Sequence, residues 1–264
     1  MLSLSGQSVL AQQIDEDLVN YAYATTLGTG VYRVGDSTVM VYRMPFSYQL
    51  RDVDDESSGL KLLLPVTIGF HDYKVRDILD NEYPEELASI AFVPGLEYHV
   101  PLRHNWRLKP YGTLGIGNDT LSDVVTFIYT AGVKSRYVFP QWKNFTFILG
   151  NELLYAGYNP RHDERRAYAL LSTGLDVERP LGFTMGGRVA DMGAYFIYSV
   201  YFHDLKFFSR QEDPYRIEQE YEVGFTFGTV HPVEIWVFEF ERVGIGYRWG
   251  HNYYAVHLVS AFPF

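Results

Sequence analysis

The sequence predicts an all-β fold: a transmembrane antiparallel β-barrel of about twelve strands, preceded by a short N-terminal helix. Three observations predict it. Apolar and polar residues alternate with period two over stretches of often 13 or more residues, where globular strands usually run ~5–6. The connections between these stretches alternate between tight and long. No segment carries the ~20 apolar residues that a membrane-spanning helix needs, the longest candidate, Met192–Phe202, being about half that length.

Ile14, Leu18, Tyr21 and Ala22 recur at helical spacing and predict one short helix over Gln12–Ala24. Ahead of it, Val9-Leu10-Ala11 offers small residues where a signal peptidase cuts, so residues 1–25 read as a signal-peptide remnant plus this helix. Residues 26–264 read as one barrel domain. Its strands are expected near 26–34, 38–51, 59–72, 87–101, 104–117, 122–139, 144–157, 165–179, 182–203, 215–229, 233–249 and 251–264.

The stretch RIEQEYEVGFTFG shows the pattern most clearly. Ile217, Gln219, Tyr221, Val223, Phe225 and Phe227 fall on one face, and Glu218, Glu220, Glu222, Gly224, Thr226 and Gly228 on the other. KLLLPVTIGFH sets Leu62, Leu64, Val66, Ile68 and Phe70 against Lys61, Thr67, Gly69 and His71. Residues 127–139 and 165–178 alternate in the same way. In FEFERVGIGY the apolar phase flips between Phe240 and Val243, which predicts a bulge.

Tight connections are expected at 101–106, 139–144 and 178–183, and longer polar ones at 81–87, 117–123, 157–166 and 209–215. Short turns at one rim and long loops at the other are the habit of membrane barrels. DVDDESSG (52–59) is long for the short-turn rim. Residues 182–202 admit either one bent strand or two short ones.

Alternation alone does not say which face points outward. A barrel of about eight strands is filled by its own side chains, whereas twelve leave a lumen. Apolar side chains are therefore expected outside, against lipid, with every backbone group paired by closure. Tyr98, Trp106, Tyr137, Phe139, Trp142, Trp249 and Tyr253 near strand ends suit the aromatic girdles of the two interfaces. The rival is a soluble two-sheet sandwich.

The inward face is expected to carry Glu218, Glu220, Glu222, Lys134, Arg136, Arg107, Lys109, Glu152 and Asp176. The three glutamates in one column allow a cation site or an acid–base group. The plainer reading is a lumen network in which those lysines and arginines balance them. A net charge of −10 argues against nucleic acid as a partner, and the absence of cysteine excludes disulfides and thiolate chemistry. No spacing of His, Asp and Glu suggests a metal, no glycine loop sits in a nucleotide-binding context, and no cofactor is expected. His71-Asp72 and His203-Asp204 sit in strands, where neighbours point to opposite faces; His162-Asp163 reads as a surface loop.

The run Tyr253–Phe264 places Tyr254, Val256, Leu258, Phe262 and Phe264 on one side of an extended strand, interrupted by Ser260. This row with its last Phe resembles the C-terminal insertion signal of bacterial outer-membrane proteins. With MPFSYQLRD, LLLPVTIGFHD and KPYGTLGIG, it makes the chain resemble the solitary autotransporter-like outer-membrane barrels, a translocator-type barrel without a passenger. The resemblance implies outer-membrane lipid and the barrel-insertion machinery as partners, a helix in the lumen, and a pore-like or structural role rather than catalysis. A small-solute channel, a lipid-modifying enzyme of the outer membrane, and an adhesin using its acidic loops are the alternatives.

Overall fold

A computed structural model describes residues 26–34, 37–52, 57–71, 89–119, 124–160, 166–207, 215–235, 238–251 and 253–264. The predicted helix and the signal-peptide remnant lie outside the described residues, as do Asp72, the His162-Asp163 pair and most of the long connections.

Thirteen strands form one antiparallel sheet: β1 Gly30–Val34, β2 Ser37–Arg51, β3 Gly59–His71, β4 Ser89–Phe92, β5 Gly95–Arg103, β6 Trp106–Asp119, β7 Val124–Val138, β8 Thr146–Pro160, β9 Arg166–Met185, β10 Arg188–Phe207, β11 Tyr215–Ile235, β12 Phe238–Gly250 and β13 Tyr253–Val259. Strands β4 and β5 share both neighbours, β3 on one side and β6 on the other, so they are two halves of one stave. β1 pairs with both β2 and β13, which closes the sheet. The result is a closed twelve-stave barrel in which every strand has a neighbour on each side.

The broken stave has a local cause. Pro94 has no N–H to give to a ladder, and the chain at Phe92–Val93 presses onto β6. A Cβ at Gly115 would overlap the Phe92 carbonyl, so only glycine permits this approach.

The tight turn expected between β9 and β10 needs correction. No turn interrupts residues 178–183; β9 runs through them to Met185. The hairpin turns instead at Gly186 and Gly187, with φ of 59° and 79°. Two left-handed central residues match the right-handed twist of the flanking strands, and glycine reaches that region without a Cβ penalty. A Cβ at Gly187 would touch nothing within 4 Å. Gly187→Val is therefore expected to cost about 1–2 kcal/mol through the backbone alone, read as a lower thermal midpoint with unchanged spectroscopic signatures of the folded state.

The phase flip near Phe240 also resolves differently. Gly228 faces Arg242 and Val233 faces Phe240, so the extra residues lie on β11 rather than β12.

The faces divide as an apolar exterior requires. Phe225 is 65% exposed, Val243 61% and Leu114 60%. β13 alternates buried and exposed without exception, with Tyr254, Val256 and Leu258 outside. Aromatic clusters mark both rims. At the rim of short turns, Trp106 meets Tyr137 edge-on, with ring centroids 6.3 Å apart, and Tyr137 meets Phe139 at 4.9 Å. At the opposite rim, Tyr198, Tyr221 and Trp249 are register partners across β10, β11 and β12, stacked at 5.2 and 5.7 Å. Tyr253 does not join either girdle; it is 2% exposed and turned into the barrel.

Candidate functional site

The bore is the natural place for a site. It is occupied at two levels. In the loop-side half, Tyr32, Tyr158, Tyr168, Tyr201 and Tyr253 close together with Val41, Ile128 and Ile217 around Leu27. Thr26 Oγ1 lies 3.1 Å from the Tyr168 hydroxyl, so the chain stands inside the barrel before it joins the wall as β1. The sequence reading expected polar residues throughout the lumen. Of these, only Tyr253 was assigned a place, in a girdle; the other four tyrosines were given no face.

The other level is the more consequential correction. The strand pattern of Tyr254, Val256 and Leu258 does not continue to Phe262 and Phe264. β13 ends at Val259; Ser260 is exposed and its carbonyl still accepts from Arg242 N of β12 at 3.2 Å, and Ala261–Phe264 leaves the wall and turns into the bore. Phe262 and Phe264 are 8% and 3% exposed and pack with Ile148, Tyr195, Ile197 and Val259. The tail crosses to the far wall. A Cβ at Gly150 would overlap the Phe264 ring, and one at Gly174 would crowd both phenylalanines, so two glycines of β8 and β9 hollow out the seat. Lys109 Nζ donates to the main-chain oxygen of Phe264 at 3.0 Å, and Lys134 Nζ to that of Pro263 at 2.9 Å. Pro263 supplies the physical reason for the departure: it cannot donate to a ladder.

The seat explains an awkward block of charge. Arg107 faces Arg136 and Lys109 faces Lys134 across β6 and β7, four like charges in register. Like charges opposite each other destabilise a sheet. The tail oxygens and Glu152, 3.9 Å from Lys134 and accepting from the Tyr111 hydroxyl at 2.6 Å, offset that repulsion.

Between these levels runs a row of polar contacts over four adjacent strands. Glu222 on β11 accepts from Tyr195 of β10 at 2.7 Å and lies 3.1 Å from His257 Nε2 of β13. Arg248 of β12 binds its other oxygen through Nε at 2.7 Å and Nη2 at 2.6 Å, and reaches Glu220 at 3.6 Å. Tyr195, Gly224, Gly246 and His257 lie in one register row. A Cβ at Gly224 would overlap the Tyr195 ring, and one at Gly246 would press on His257. The two glycines let the tyrosine and histidine lie across the wall and meet at one carboxylate. Nearer the short turns, Arg242 binds Asp191 and also reaches Glu178 and Thr226, each at 3.3 Å.

Of the predicted inward charges, Glu220, Glu222 and Asp176 are buried, and Glu152, Lys134, Arg136, Arg107 and Lys109 are partly buried. Glu218 is exposed, and Ile217 beside it turns into the interior with 0% exposure. The register between β10 and β11 slips at this point, between Val200 and Leu205, which breaks the alternation the three glutamates were read from. The partners of the glutamate pair also differ from expectation: Arg248 and His257, not the lysines of β6 and β7. Alternation in GIGYRWG, with Gly244, Gly246, Arg248 and Gly250 on one face, carried that signal.

Glu222 is saturated by three partner side chains, an arrangement suited to holding a wall together. Among the described residues no group of His, Asp and Glu is placed to bind a metal. His99 and His257 are bonded to Glu97 and Glu222.

The β-domain of the Bordetella autotransporter BrkA superposes with a TM-score of 0.52 at 11% identity, over 87% of this chain and 93% of that one. The chain has the fold of an autotransporter β-domain. LpxR from Salmonella typhimurium superposes with a TM-score of 0.49 at 13% identity, over 87% of this chain and 90% of that one. No family model and no curated protein matches the sequence.

Proposed function

We propose that the protein is an integral β-barrel of the bacterial outer membrane, built like an autotransporter translocator, whose bore is kept closed by its own chain. The observation that carries this is the division of faces: a continuous apolar exterior with aromatic girdles at both rims, around an interior of matched charges. Such an exterior has no stable exposure to water, and a closed barrel satisfies the backbone that lipid cannot. The role is structural or pore-like, without catalysis. The seated tail and the tyrosine layer favour a closed bore over a constitutive small-solute channel.

Insertion machinery is the expected partner during assembly. Only Tyr254, Val256 and Leu258 face outward in the finished barrel. Phe262 and Phe264 would be read before the tail seats.

The test is insertion. Full-length protein is expected to fold into phospholipid vesicles, float with them, and migrate as a compact species in unheated gels. Phe225→Arg places a cation on the lipid face and is expected to cost about 2–4 kcal/mol at mid-membrane depth, read as a lower midpoint in urea titration of vesicle-folded protein. A chain that stays folded and monodisperse in plain buffer, away from vesicles, would overturn the reading. So would sustained open-pore steps from the wild type in planar bilayers, for the closed bore.

A further inference from the structure

The ring closes through a short stave, and only over part of its height. β1 pairs with β2 from Gly30 opposite Val41 to Val34 opposite Ser37, while β2 itself runs on to Arg51. One contact extends the seam: Thr29 Oγ1 accepts from Arg43 N at 2.9 Å and donates to its carbonyl at 3.0 Å. A side chain there does what a strand does higher up. On the other flank β13 pairs with β12 as far as Val259, Ser260 adds one bond, and the tail then turns inward. Among the described residues, a notch lies between β2 and the end of β13, on the short-turn half of the wall.

The sequence of β2 treats this side as an edge. Arg43 turns its N–H toward β1, and in a strand every second residue does the same, so Pro45 stands where the next N–H would face the notch. Proline has no N–H to leave unpaired, and within sheets it belongs on open edges. Beyond it, Ser47 and Gln49 approach the rim, where interfacial water reaches their backbone.

The interior cavity opens through the notch. Its volume is about 630 Å³, and Arg43, Met44, Pro45, Phe46 and Ser47 line it in unbroken succession. Neighbours in a strand point to opposite faces. Met44 belongs to the exposed outer row with Tyr42, Tyr48 and Leu50. One cavity touches both faces of a strand only where it passes round the strand's edge. Ser260 and Ala261 line the same space from the opposite flank, so the notch is its mouth.

That mouth faces hydrocarbon. Met44 pairs with Val66 and Phe46 with Leu64, midway along β3, and Leu258 on the far flank is 57% exposed. Just inside, Leu63 and Pro65 of β3 and Phe264 of the tail continue the apolar lining. The charged groups deeper in are turned to one another: Glu97 to His99, Glu152 to Lys134 and Glu222 to Arg248, with Lys61 opposite Glu97 in register. An ordered water needs ~2–4 polar partners, which this apolar mouth does not offer. A volume of about 630 Å³ falls within the ~300–1,000 Å³ of small-molecule sites.

We propose that the cavity is a lipid-side pocket. The notch admits one acyl chain of a membrane lipid, which lies along Met44–Ser47 and ends against Leu63, Pro65 and the tail. Its polar head stays at the short-turn rim, where β2 ends in Gln49 and Arg51. The barrel is then closed along its axis and open sideways. The proposal rests on the outer-membrane reading, which puts lipid against this wall.

The experiment is photo-crosslinking of wild-type, full-length protein folded into phosphatidylcholine vesicles, with a fraction of the lipid carrying a diazirine at one acyl end. Adducts are located by mass spectrometry of the digested protein. Adducts on Phe225 and Val243 of the outer face report insertion; without them the outer-membrane reading fails and this proposal with it. With them present, Leu63 and Pro263 are expected to carry adducts too. Ser47→Trp fills the mouth and is expected to lower that interior labelling about tenfold or more, with the outer face unchanged. Ser260→Trp fills it from the other flank and serves if the first variant does not fold, as judged by gel mobility before and after heating. Labelling confined to the outer face, as a mouth covered by the chain ahead of Thr26 would give, overturns the pocket while leaving the membrane reading intact. Interior labelling that neither tryptophan reduces overturns it as well.

Discussion

Replacing Phe262 and Phe264 with alanine is expected to unseat the tail while leaving the barrel folded. The two rings provide the apolar part of the tail's attachment, since Lys109 and Lys134 hold only main-chain oxygens. Truncating a buried phenylalanine costs about 3–5 kcal/mol. Even half of that sum raises the unseated population roughly a hundredfold or more, at 1.4 kcal/mol per factor of ten. No cysteine occurs in the chain, so one introduced thiol reports without background. Ile197 lies beneath the tail rings and is 5% exposed. In an Ile197→Cys reporter, maleimide labelling is expected to be slow, and to accelerate about a hundredfold when both phenylalanines become alanine. Gly150→Ala is expected to act in the same direction without touching the tail, because its Cβ would occupy the space of the Phe264 ring. Labelling that stays slow in a folded double-alanine protein would show that the tail is not held by its rings.

Glu222→Gln is expected to be the most destabilising single change in the wall. One carboxylate on β11 joins side chains from three other strands, β10, β12 and β13, and its own side chain is 5% exposed. The substitution keeps the volume and removes the charge opposite Arg248. Breaking a buried pair on one side costs about 3–5 kcal/mol, because the remaining ion keeps its desolvation penalty. The measurement is the denaturant midpoint of vesicle-folded protein. Changing the whole cluster, Glu220→Gln and Glu222→Gln with Arg248→Met, is expected to recover a large part of the loss, since neither Arg248 nor Glu220 is then left as an ion without its partner. A stability change within about 0.5 kcal/mol for Glu222→Gln alone would mean the row is ornamental to the wall.

The barrel itself was legible because its period-two signal is written over long strands. Twelve staves were counted from alternation alone, and the outward set Val223, Phe225 and Phe227 matches the structure's exposed side of β11. Local errors fell where backbone geometry changes without a change in hydropathy. Gly186-Gly187 makes a tight hairpin, yet Pro180 and Gly182 nearby offered a competing turn signal and lie inside a strand. Glu218 fell on the wrong face because a bulge opposite it shifts the phase, and a bulge has no composition of its own.

The tail shows the limit most plainly. Phe262 and Phe264 continue the same alternation as Tyr254, Val256 and Leu258, so pattern alone extends the strand through them. Ser260 and Pro263 are the two marks against that continuation. Whether such a segment stays on the wall depends on what the bore offers it: two glycine hollows on β8 and β9, and two lysines on β6 and β7, all more than 80 residues away in the chain.

By itself, then, the sequence determined the stave number and which side chains of most strands face outward, because both follow from side-chain period. The tertiary structure decided what fills the barrel and which charges meet. Those outcomes depend on closure, which sets residues from distant strands face to face across a space that no local pattern describes.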